Sequence, residues 1–166
     1  ILSLLPALTL GMGALEAVVV ALFPISASDA AMFERMDSGG WVAVLMASLI
    51  APMVEEMLFR GIILRSFLNQ YRRWPSIFGS ALLFGLSHMN VYQGVVAFIG
   101  GIVMGWLYER TRSLWPSILL HAGYNTALMV ELSQDNVIWP ARWLVAILLA
   151  MAGTAMLHRL LLPRRR

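Results

Sequence analysis

Between Trp41 and Leu68 the sequence is almost entirely apolar, and near the middle of that run stand Glu55, Glu56 and Arg60. A run of this length can cross the hydrocarbon core of a bilayer, which takes about 20 helical residues. In hydrocarbon a lone segment satisfies its backbone donors and acceptors only as a helix, so the run commits the chain to a helical membrane fold. An ionised side chain at the centre of such a helix costs about 2.5 to 3.5 kcal/mol or more. Three together require partners or a task.

The rest of the chain repeats the pattern. Of its 166 residues 60% are hydrophobic, against about 45 to 50% in soluble domains, and 13% are charged. The apolar periodicity predicts six helical segments, about 1–23, 40–70, 75–89, 92–110, 114–132 and 139–161. The expected fold is an all-α polytopic membrane helix bundle of about six transmembrane or membrane-embedded helices, one domain over 1–166. The first segment lacks a basic leader and a small-residue cleavage site, so it is expected to be a span rather than a signal peptide.

The stretch from Pro24 to Gly39, expected as a loop, and the joint after the fifth segment are acidic on balance, whereas arginines follow the second, fourth and sixth segments. That asymmetry places both termini in the cytoplasm. All basic charge is arginine, most of it at the ends of apolar runs, so membrane lipid is the expected partner and nucleic acid is not. The third segment is short for a crossing and is expected to end inside the protein. Ala81 with Gly85, and Gly101 with Gly105, predict close packing of the third and fourth helices.

Glu56 and Arg60 stand four apart on one helix face, where an ion pair lowers the cost of burying both. Glu55 is turned about 100° away and needs another partner. His88, near the end of the third segment, can supply it. His121 and Asn125, four apart on the fifth segment, project an imidazole and a carboxamide side by side. At about 1.5 Å per residue these groups lie about 10 to 20 Å from the basic side, compatible with one shared cavity.

Amide hydrolysis fits this set. Glu55 with His88 would hold and deprotonate a water, His121 with Asn125 would stabilise the oxyanion, and Glu56 with Arg60 would support the helix, with no cofactor. A zinc version uses Glu55, His88 and His121 as ligands and leaves Asn125 without a place. Without cysteine, neither thiolate ligation nor a thiol nucleophile is open to the chain. Two other classes compete: a non-enzymatic immunity or partner-binding protein that keeps the polar groups for helix packing, and a small proton-coupled transporter.

The series Glu55-Glu56-Met57-Leu58-Phe59-Arg60, then Phe84-x-x-x-His88, then His121-x-x-x-Asn125, resembles the CPBP family of intramembrane endopeptidases (CAAX protease and bacteriocin-processing, or Abi) over about residues 41–132. Gly61 and the stretch Arg112 to Ile118 add to the likeness. The resemblance implies a membrane protease acting on a peptide or protein substrate that is itself membrane-associated. It also implies a bacterial inner-membrane location, water activation by Glu55 and His88, and an oxyanion site from His121 and Asn125.

Overall fold

The structure is a computed structural model that describes residues 5–37 and 39–132. These residues form six helices: α1 (Leu5–Leu22), α2 (Ala27–Asp37), α3 (Gly40–Gln70), α4 (Arg73–Ser87), α5 (Val91–Thr111) and α6 (Trp115–Leu132). The five segments expected before residue 133 are all present. The expected segment 139–161 lies outside the described residues.

One expectation is corrected between Pro24 and Gly39, where α2 replaces a loop. Ser26 explains it: its Oγ accepts from the Asp29 N–H at 3.2 Å and donates to Asp29 Oδ2 at 2.6 Å. This reciprocal cap satisfies donors that a helix start otherwise leaves open, and it outweighs the polar composition of the segment.

By length and composition α1, α3 and α5 can each cross a bilayer. Polarity is arranged inside out, as lipid requires. Val54, Ile62, Leu82 and Leu86 are exposed on the outside, while Glu56, Arg60, Ser76, Ser80, Ser117 and His121 are buried. The protein is integral to the membrane, and its buried polar groups tie helices together. Ser80 Oγ donates across to the Phe59 carbonyl of α3, and Ser117 Oγ donates from α6 to the Met104 carbonyl of α5, both at 2.9 Å. Apolar packing surrounds them: Phe59, Phe84, Met104, Leu107 and Leu120 form one cluster, and Leu64, Ile77 and Tyr108 a second.

Two stretches of α3 are π-helical, Met46–Ile50 and Met57–Leu64, and they flank the two glutamates. Pro52 accounts for the first. An interior proline lacks an N–H and its ring clashes with the carbonyl four residues back. The helix widens instead, and the Ala51 N–H bonds to Met46, five residues back. The next carbonyl in that register, Ala47, would bond to the N–H that Pro52 does not have.

Helices α4 and α5 form an antiparallel hairpin with His88 at its turn. His88 ends α4, Met89 takes a left-handed conformation (φ 56°), and Asn90 caps α5 by accepting from the Gln93 N–H at 2.8 Å. At the far end Arg73 Nε lies 2.8 Å from Glu109 Oε2. Between them the small residues do what their spacing predicts. A Cβ on Gly85 would stand 2.6 Å from the Gly94 carbonyl oxygen, and one on Gly101 would stand 3.1 Å from Ala81 Cβ.

Candidate active site

Glu56 is completely buried and Arg60 is 1% exposed, and the expected ion pair forms, with Arg60 Nη1 donating to Glu56 Oε1 at 2.8 Å. The guanidinium also donates through Nη2 to the Gly101 carbonyl at 3.1 Å and lies 4.6 Å above the Phe84 ring centre. It thereby joins α3 to α4 and α5. Phe84 is the hub of the site: its ring meets Phe59 and His88 edge-on at 5.0 Å and His121 at 5.6 Å. The phenylalanine four residues before His88 therefore sets the floor on which both imidazoles rest.

The imidazole that reaches the glutamates is that of His121 on α6. Its Nδ1 lies 2.9 Å from Glu56 Oε1, and its Nε2 lies 3.7 Å from Glu55 Oε2. Sequence spacing suggests His88 as the neighbour of Glu55. In the structure His88 instead turns Nδ1 to the Phe84 carbonyl at 2.9 Å, which fixes its ring at the end of α4. Glu55 is 33% exposed and projects toward open space rather than into the ion pair.

Asn125 donates through Nδ2 to the Ala47 carbonyl at 2.8 Å. This is the carbonyl orphaned by Pro52, so the carboxamide satisfies a backbone group inside the membrane that the helix cannot satisfy itself. One of its two N–H groups is used in this way, and an amide carries a second.

Glu55, His88, His121 and Asn125 all line a single cavity of about 850 Å³. The four come from α3, the α4–α5 turn and α6, so the structure brings together the candidates named from sequence. Among the described residues no three His, Asp or Glu side chains converge in a metal-holding group. As placed, Glu55, His88 and His121 do not fit a zinc ligand set.

The cavity also reveals residues that the sequence motifs do not mark. Glu16 of α1, Glu34 of α2 and Tyr92 of α5 line it as well. Tyr92 donates through its hydroxyl to the Pro24 carbonyl at 2.9 Å, joining α5 to the segment before α2. Glu16 carries a signal of its own, since it is the one ionisable residue in the apolar run of α1.

Comparison with known proteins fits this geometry. The family model described as Type II CAAX prenyl endopeptidase Rce1-like matches residues 37–127, which contain all six of the site residues named above from sequence. This chain belongs to the Rce1-like family. Among its curated relatives, YdiL of Bacillus subtilis (strain 168), a candidate membrane peptidase, is 25% identical over 87 residues, 52% of this chain and 36% of that protein. UPF0177 protein YaiF of Lactococcus lactis subsp. lactis (strain IL1403) is 34% identical over 93 residues, 55% and 40% of the two chains. UPF0177 protein YbdI of the same organism is 26% identical over 91 residues, 54% and 49%. The match spans less than half the length of each of these relatives. No solved structure gives a significant match.

Proposed function

We propose that this Rce1-like chain is an intramembrane endopeptidase that hydrolyses a peptide bond with a water activated by its own carboxylate. The observation that carries this reading is the convergence of Glu55, His88, His121 and Asn125 on one cavity within a bundle whose outer face is apolar. Buried ionisable groups in a membrane mark a functional path. Glu55 accepts a proton from the water while His88 positions it, and the Asn125 amide and His121 receive the developing charge on the carbonyl oxygen. Glu56 and Arg60 hold His121 and the π-helical part of α3 in place. No cofactor takes part.

The substrate is a membrane-associated peptide or protein, in the first instance a prenylated CAAX-type tail of the kind in the family's description. A cavity lined by Leu8, Met12 and Val96 beside the polar groups suits a lipid-modified or apolar segment. The proposed location is a bacterial inner membrane, with both termini in the cytoplasm.

The test is cleavage of a farnesylated CAAX peptide by purified protein in detergent, comparing wild type with His88→Ala and Asn125→Ala. Each variant should lose about 10²- to 10⁴-fold in turnover. Full cleavage by both would overturn the assignment.

A further inference from the structure

His121 is held from both sides by carboxylates, and the two contacts are unequal. Glu56 Oε1 already receives Arg60 Nη1 at 2.8 Å, and a guanidinium only donates, so that oxygen is an acceptor. The hydrogen in the 2.9 Å contact with His121 therefore belongs to Nδ1. A neutral imidazole carries one N–H, so Nε2 is left bare, and Nε2 is the nitrogen 3.7 Å from Glu55 Oε2 on the cavity side. Glu56 is buried and hydrogen-bonded, whereas Glu55 is part-exposed on the cavity wall. Contacts of this kind are often long in a resting site and tighten when substrate binds.

We infer that Glu56 and His121 form a proton-relay dyad, in which Glu56 is a positioning residue that fixes the His121 tautomer. His121 Nε2 then carries the proton from Glu55 to the departing nitrogen. The inference rests on the hydrolytic reading above and adds a route for the proton. Water gives a proton to the Glu55 carboxylate as its oxygen bonds to the carbonyl carbon. Glu55 passes that proton to His121 Nε2 and returns to its ionised form. The resulting imidazolium, held through Nδ1 by Glu56, faces the tetrahedral oxygen. As the carbon–nitrogen bond breaks, the leaving nitrogen takes the proton from Nε2, giving an amine and a carboxylic acid and restoring neutral His121. Nothing beyond water and the peptide is consumed.

Two measurements test this. The first is ¹⁵N NMR of the full chain with labelled histidine, His121 being assigned by comparison with His121→Gln. The expected pattern is a protonated Nδ1 and a bare Nε2 in the wild type. A protonated Nε2 with a bare Nδ1 in the wild-type spectrum overturns the dyad. The second compares the farnesylated CAAX peptide with the p-nitrophenyl ester of its acyl part, whose leaving group departs without a proton. His121→Gln and Glu56→Gln should each lose about 10²- to 10³-fold more on the peptide than on the ester, where only the contact of His121 with the carbonyl oxygen is lost. Glu55→Gln should lose both activities. Equal losses on the two probes in His121→Gln would overturn the relay and mean that the ring acts on the carbonyl oxygen alone. A wild type that cleaves neither probe defeats hydrolysis and the relay with it, while the ¹⁵N pattern still reports whether Glu56 sets the tautomer.

Discussion

Arg60 illustrates how a buried charge is tolerated in this protein. It has a carboxylate, a backbone carbonyl and an aromatic face around it, and almost no exposure to lipid or water. Removing Arg60 leaves the buried Glu56 carboxylate without its counter-cation and with only the His121 contact. Arg60→Leu should therefore lower stability by about 3 to 5 kcal/mol, measured by unfolding in detergent, and pairing it with Glu56→Leu should recover much of the loss. A single variant as stable as wild type would show that the pair carries no structural weight. The Glu56–Arg60 pair is legible in the sequence because it is local, four residues along one helix. The contact of His121 with the same Glu56 oxygen is not, because it spans 65 positions and depends on how α6 docks against α3. Spacing shows that both histidines belong with the glutamates, but not which of them faces Glu55.

Helix α3 shows why a proline sits within a span. Pro52 forces the π-helical turn, the turn strands the Ala47 carbonyl, and Asn125 from α6 caps it. Asn125→Ala should cost about 1 to 3 kcal/mol for the unsatisfied carbonyl. In a Pro52→Ala background residue 52 regains an N–H, so the same substitution should cost less than about 1 kcal/mol. Equal costs in both backgrounds would show that proline and asparagine are not coupled. The hairpin makes a second demand: Gly85→Ala places a methyl group 2.6 Å from the Gly94 carbonyl oxygen and should destabilise by about 1 to 3 kcal/mol in the same unfolding assay. The close approach of α4 and α5 is readable from small residues four apart. The π-helical turns are not, since the apolar pattern of α3 is the same in either register. Helix α2 lies between these cases: Ser26 and Asp29 are visible in the sequence as capping residues, but an acidic stretch between two apolar runs describes a loop equally well.

At the scale of the whole molecule, the described helices surround a largely apolar cavity that carries a cluster of polar side chains, within a lipid-facing apolar shell. Composition alone establishes the shell, because a chain this apolar has to face hydrocarbon. The cavity requires tertiary structure, since α1 contributes Leu8, Met12 and Glu16 and α2 contributes Glu34 to walls that come mostly from the family-matched core. If the attacking water is activated by Glu55 rather than by zinc, protein stripped with a chelator and shown metal-free by mass spectrometry should cleave at the untreated rate. Loss of activity restored by zinc alone would instead require Glu55, His88 and His121 to swing onto one point. The most direct measurement is the turnover of a farnesylated CAAX peptide by wild type and by Glu55→Gln, both reconstituted in lipid nanodiscs and matched in thermal stability. Wild type should cleave and Glu55→Gln should be slower by about 10²- to 10⁴-fold. Cleavage by Glu55→Gln at the wild-type rate would contradict a carboxylate-activated water as the basis of this site.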